Sequence, residues 1–164
     1  MAKKLLDISG IGAERLHIEW VSSAEAQRFV DTAHRVTDCV RKCGKFKPED
    51  FEIELEAVEM TLENQSIRWL VGKESAITAK GDVYGRPWDK ERYEDVIDNE
   101  LEREYQKNLI FLSIKNGDRS VRDVAKSAGI ELLRVSYLLA DLERSNRVEF
   151  SGMEDRKPVF TAIG

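Results

Sequence analysis

The chain has only two cysteines among its 164 residues, Cys39 and Cys43. This count excludes a disulfide scaffold and, from this chain alone, any four-cysteine metal or iron–sulfur site. No apolar run approaches the ~20 residues that cross a membrane, and the N-terminus, MAKKLLDISG, has no signal-peptide core. These absences make a cytoplasmic location the default expectation, with no membrane partner.

Positive charge is not in excess either. The formal net charge is −5 at pH 7, which argues against a generally cationic nucleic-acid binder but leaves room for a local basic patch. The chain is 41 % hydrophobic and 35 % charged. That composition predicts a soluble chain of one or two small domains.

Residues 15–44 read as one β-strand followed directly by one amphipathic helix. The strand is predicted from alternation, in which Leu16, Ile18 and Trp20 are apolar and His17 and Glu19 are polar. A lone strand has no ladder partner, and nothing nearby in the chain looks able to supply several more strands. The pattern therefore predicts the end of an α/β domain whose earlier strands are missing.

Ser22 is predicted to cap the helix that follows, with Glu25 completing a capping box, and the helix is predicted to stop at Gly44. Its apolar residues recur at three- and four-residue steps: Ala26, Phe29, Val30, Ala33, Val36, Val40 and Cys43. Residues 3–8 ahead of the strand predict the last turns of another helix, ended by Gly10 and Gly12.

The middle of the chain is predicted to be mostly helical. Apolar residues at helical spacing predict one helix over residues 50–64 and another from Asp89, with a bend between Gln106 and Asn108. The short apolar run 67–71 fits a buried helical turn or a strand equally well. Residues 75–88, punctuated by glycine and proline, predict an extended segment or a small hairpin around residues 80–82.

The last third predicts a winged helix-turn-helix. A helix ends at Gly117, Ser120 opens a short helix that Gly129 ends, and a third helix covers residues 131–146 with Leu132 among its inward residues. Two strands, 148–150 and 158–160, then form a hairpin. The predicted fold class is α+β, mainly α. The predicted segments are a strand–helix remnant of an α/β domain (1–46), a helical linker region (47–106) and a winged helix (107–164).

Winged helices commonly bind DNA through the third helix. Here residues 104–164 hold ten Lys/Arg against nine Asp/Glu. A near-neutral surface argues against DNA binding, because contacts with the phosphates supply most of the affinity for DNA. A DNA-binding transcription regulator therefore remains the alternative function. Its candidate contact residues are Arg119, Arg122, Lys126, Arg134, Arg156 and Lys157.

No complete active site emerges from the sequence. Cys39 and Cys43 lie four apart on one helix face and could supply two metal ligands, but neither His34 nor His17 completes a set. We favour the interpretation that Cys43 packs as a small apolar side chain and Cys39 lies at the margin of the helix. Whether the chain is an enzyme is left open; at most it is a subunit of an oxidoreductase complex.

Residues 6–44, especially SGIGAERLHIEWVSSAEAQRF, resemble the end of the iron–sulfur (delta) subunit of methyl-viologen-reducing hydrogenase. The matching positions are Arg15, Glu19, Trp20, Ser22, Glu25 and Phe29. The resemblance implies an electron-transfer subunit that passes electrons from a hydrogenase or formate dehydrogenase to the flavin-containing heterodisulfide reductase A subunit. The family's [2Fe–2S] cysteines precede the matching region, so this chain is expected to hold no cofactor, and a cluster is expected only in the missing N-terminal part.

The function predicted from this resemblance is that of an accessory, non-catalytic docking subunit of a hydrogenase (or formate dehydrogenase)–heterodisulfide reductase type complex. Its expected partners are those redox proteins or, failing them, a second copy of the chain. The residues predicted to face a partner are Arg15, His17, Glu19 and Trp20.

Overall fold

Helices dominate the computed structural model, which describes residues 1–81 and 84–163. In chain order they are α1 (Ala2–Ile8), α2 (Ala26–Cys43), α3 (Glu52–Glu63), α4 (Gln65–Ser75), α5 (Lys90–Lys115), α6 (Val121–Ala128) and α7 (Leu132–Arg144). Strands β1 (Val148–Glu154) and β2 (Lys157–Ala162) pair antiparallel. This confirms the α+β, mainly α class. By its internal contacts the chain divides into two units, Met1–Leu55 and Glu56–Gly164.

In the first unit, α1 ends as predicted and the two glycines make its connection. The backbone of Gly10 (φ 74°) and Gly12 (φ 101°) is left-handed, and the Gly12 N–H donates to the Leu6 carbonyl at 2.9 Å. A short 3₁₀ turn, Ala13–Arg15, follows. The buried residues here include Leu5 and Ile11.

The predicted strand over residues 16–20 is wrong. The backbone at Leu16 is extended, but residues 16–20 join no sheet, and β1 and β2 of the second unit pair with each other. The alternation of apolar and polar residues is real. A strand, however, also needs a ladder partner, and the described part of the chain offers none.

Helix α2 begins at Ala26, three residues later than a cap at Ser22 predicts. Glu25 is the N-cap residue, and its carboxylate accepts the Ser22 N–H at 3.0 Å. One of the two hydrogen bonds of the expected capping box therefore forms, in a turn that precedes the helix. At the other end the prediction is confirmed, because α2 stops at Cys43 and Gly44 takes a positive φ of 69°.

In the second unit the ambiguous apolar run 67–71 is helical and lies in α4, whose N-cap Asn64 accepts the backbone N–H groups of Ser66 and Ile67. Residues Ala76–Lys80 continue as a π-helical turn. The extended segment or hairpin expected around residues 80–82 is therefore wrong for 76–80. Asp82 lies outside the described residues.

Helix α5 runs unbroken from Lys90 to Lys115, so the bend predicted between Gln106 and Asn108 is wrong. The polar residues that suggested a bend have buried partners instead. Asn108 is 2 % exposed, donates to the Thr61 hydroxyl at 2.9 Å and accepts from Arg147 at 2.7 Å. Nearer its start α5 packs as predicted through Tyr93, Ile97 and Leu101.

The last third has the element order and packing of a winged helix-turn-helix. Ser120 caps α6, Gly129 ends it in the left-handed region, and the wing pairs Phe150 with Phe160. The C-terminal part of α5 joins α6, α7 and the wing in one core, which contains Ile110, Ile114, Val124, Val135, Leu138, Leu139, Leu142, Val148 and Phe160. Leu132, predicted to face inward, is half exposed because it lies in the first turn of α7.

No helix in the described part of the chain combines the length and the apolar character that a bilayer crossing needs.

An ion pair between α5 and α7 predicts how the second unit responds to acid. Arg103 donates to the Asp141 carboxylate at 2.5 Å, and this hydrogen bond holds the pKa of Asp141 below its ordinary value. A depressed native pKa stabilises the fold above the unfolded pKa of about 4, and that contribution is lost as pH falls through the native value.

Asp141→Asn is therefore expected to lower the free energy of unfolding by about 1–3 kcal/mol at neutral pH and by progressively less below pH ~4. Urea unfolding at several pH values measures this. Asp95→Asn, at an exposed position of α5, the helix that carries Arg103, is the control and should change little. A loss at Asp141 that is independent of pH would contradict the assignment.

Candidate functional site

Arg15 closes the end of α2. Its Nη2 donates to the Cys43 carbonyl at 3.1 Å, its Nη1 to the Gly44 carbonyl at 3.4 Å, and its Nε to the Ile11 carbonyl at 3.1 Å. The guanidinium also lies 5.3 Å from the centre of the Phe46 ring. A cation suits the last carbonyls of a helix, which are otherwise unpaired and carry partial negative charge. Arg15 therefore holds the segment before residue 16 against α2.

Two further matched residues fix the segment between Arg15 and α2. Glu19 pairs with Arg35 of α2 at 2.5 Å, and Glu25 accepts from both the Ser22 N–H and Arg28. Exposed pairs of this kind contribute little stability each. Their effect is to orient residues 16–25 along the helix.

The apolar residues of this region are exposed. Trp20 is 85 % exposed and Phe29 62 %, and α2 has no buried residue along its 18 positions. Ile18, Val30 and Val40 are exposed as well. We call the set Ile18, Trp20, Phe29, Val30 and Val40 the α2 apolar surface. Five exposed large apolar side chains on one helix and the segment bonded to it indicate an interaction site.

His17 is half buried within this unit, and its Nε2 atom is enclosed without a hydrogen-bond partner among the described residues. Such an atom is costly unless another group satisfies it. Of the four predicted partner-facing residues, the structure thus places Arg15 and Glu19 in contacts within the unit. Trp20 is open to solvent, and His17 is left without a polar partner.

Cys39 and Cys43 lie on neighbouring turns at the C-terminal end of α2. The Cys39 thiol contacts the Glu14 carbonyl at 3.6 Å. Partial burial, together with the hydrogen bond to Cys39, raises the pKa of the Cys43 thiol, which disfavours the thiolate form that metals bind. In the described ranges, no three side chains of the metal-binding types come together.

The six candidate DNA-contacting residues differ in whether they bond to other side chains of the fold. Arg134 turns back from α7 and donates to Gln106 of α5 at 2.8 Å, and Arg119 pairs with Glu154 of the wing. Arg122 and Lys126 of α6 are exposed, as are Arg156 and Lys157 at the wing. Five of the six cations, Arg119 among them, are therefore exposed, and two of the six, Arg119 and Arg134, are bonded to other side chains of the fold.

The exposed side of α7 is apolar, which the sequence analysis missed. Leu132 is 50 % exposed, Tyr137 is 66 % exposed and Leu133 lies between them in exposure. With apolar residues at 132, 133 and 137, this helix has more apolar residues than a single stripe facing the core requires. This excess was the sequence signal that could have predicted an exposed apolar face.

No protein-family model matches the sequence, and no solved structure matches the fold. Function is therefore inferred from the chemistry of these surfaces and from the resemblance of residues 6–44.

Proposed function

We propose that this chain is a non-catalytic docking subunit of a redox complex of the hydrogenase (or formate dehydrogenase)–heterodisulfide reductase type. The α2 apolar surface is the contact, and a heterodisulfide reductase A-like subunit is the partner. The observation that carries the proposal is an 18-residue amphipathic helix without a single buried residue, next to a tryptophan that is 85 % exposed.

The matched residues divide into two groups that fit docking. Arg15, Glu19, Ser22 and Glu25 make polar contacts within the unit, while Trp20 and Phe29 are exposed. A polar framework that presents two aromatic side chains is the arrangement of an interface with aromatic anchors. The resemblance to the hydrogenase delta subunit supports a redox protein as the partner.

The segment 16–20, which joins no sheet, also fits docking. The backbone around Leu16 is already extended, so a partner strand could add to it through main-chain hydrogen bonds. The side chains of Ile18 and Trp20 in this segment are exposed, and the same partner would cover them.

We expect co-expression with the heterodisulfide reductase A-like subunit of the same genome to give a complex of defined stoichiometry. Size-exclusion chromatography with light scattering measures it, with the chain expressed alone as the control. A stable monomer that does not bind the redox subunits would contradict the proposal. A tight homodimer that does not bind them would also contradict it, because a second copy would then cover the apolar surface.

A further inference from the structure

A second surface lies in the winged helix, at the groove between α6, the start of α7 and the wing. The residues that line it are Ser120, Val121, Arg122, Leu132, Ser136, Lys157 and Pro158. We call this set the wing groove. It is an open depression of about 240 Å³, which is below the ~300–1,000 Å³ typical of small-molecule sites. A volume of this size suits one large side chain of a partner.

Helix α7 contributes one apolar and one small polar side chain to the wing groove. Leu132 and Ser136, one turn apart on α7, face the cavity, and Leu133 and Tyr137 form the adjacent exposed stripe. In a DNA-reading winged helix this face enters the major groove and needs polar side chains that can bond base edges. Leucine side chains on this face have no group that can hydrogen-bond a base edge.

The charge of the wing groove is of one sign. Arg122 and Lys157 are its two charged lining residues, and both are cationic. The nearby Asp123 carboxylate accepts the hydroxyl of its own helix cap, Ser120, at 2.5 Å, and Glu154 is paired with Arg119. An occupant with carboxylates beside an apolar anchor would complement this surface.

We infer that the wing groove binds an acidic segment of a protein partner, with one large apolar side chain of that segment in the cavity and its carboxylates at Arg122 and Lys157. The site is separate from the α2 apolar surface and does not depend on the redox assignment. It makes the winged helix a protein-docking module.

Selection of displayed random short peptides on the full chain tests this inference without a preset sequence. We expect enriched peptides to share one aromatic or large aliphatic residue flanked by Asp or Glu. Their affinity should fall about tenfold or more for Leu132→Ser and for the double variant Arg122→Glu/Lys157→Glu. Thermal unfolding should be nearly unchanged, because Leu132 is half exposed and both cations lie at the surface.

Two variants on α4 serve as matched controls. Val71→Ser and Lys73→Glu also change an exposed apolar residue and an exposed cation, and they should bind the selected peptides like the parent chain. The absence of enriched peptides, peptides without acidic residues, or equal loss in the control variants would overturn the inference. So would tight binding of a short DNA duplex at low salt that Arg122→Glu/Lys157→Glu abolishes, since the groove would then be a nucleic-acid surface.

Discussion

Trp20→Ala is expected to weaken binding of the redox partner by about 30- to 1,000-fold, the effect of losing a central aromatic anchor. Trp20 is 85 % exposed in the free chain, so its large apolar area can become buried only on association. Phe29→Ala should have an effect of the same kind, because the ring is also exposed. Isothermal titration with the purified A-like subunit measures both.

Trp69→Ala is the matched control for this experiment. Trp69 lies in α4 of the second unit and is 58 % exposed. The variant therefore removes the same kind of side chain at a position outside the α2 apolar surface. Affinity should be retained in this variant, and the melting temperature should be unchanged in both. Equal loss of affinity at positions 20 and 69 would contradict an anchor role for Trp20.

Local sequence signals were sufficient to predict most of the helices. Asp89 and Ser120 cap helices with their side chains, and Gly44 and Gly129 end helices at positive φ, because these roles depend only on near neighbours in the chain. The hairpin of the wing is predictable for the same reason. Its two strands are separated by one short turn.

The errors arose where a residue's partner is distant in sequence. A bend was predicted between Gln106 and Asn108, but the helix continues and the Asn108 amide bonds Thr61, which is 47 positions away. Residues 16–20 looked like a strand although no strand partner lies in the described part of the chain. Residue patterns show which face is apolar, and only the three-dimensional packing shows whether that face is covered.

The same limit applies to the candidate site. Trp20 was predicted to face a partner from its place in a matching motif, and its exposure supports that role. Arg15 was given the same role, yet it bonds the end of α2 across 28 positions. The wing groove was missed because its lining residues come from α6, α7 and the wing, and no single segment displays it.

Arg147→Met is expected to lower the free energy of unfolding by about 3 kcal/mol, through loss of a charged hydrogen bond and a cation–π contact. The Arg147 guanidinium donates to Asn108 at 2.7 Å and lies 4.3 Å from the centre of the Phe111 ring. Asn108 in turn donates to Thr61, which is fully buried. Removing the arginine leaves the Asn108 carbonyl oxygen enclosed without this donor. Urea unfolding measures the change.

A double-mutant cycle separates this network from simple loss of packing. Asn108→Leu alone should also destabilise the fold, since Arg147 is partly buried and burial already lowers its pKa. The pair Asn108→Leu/Arg147→Met should cost clearly less than the sum of the two single changes, because it removes both ends of their mutual hydrogen bond, and the Thr61 hydroxyl keeps its bond to the Ala57 carbonyl. Arg122→Met, an exposed arginine in α6, should cost less than about 0.5 kcal/mol. Strict additivity of the two single changes would show that the hydrogen bond between Arg147 and Asn108 contributes nothing to stability, and the role of Arg147 would reduce to packing against Phe111.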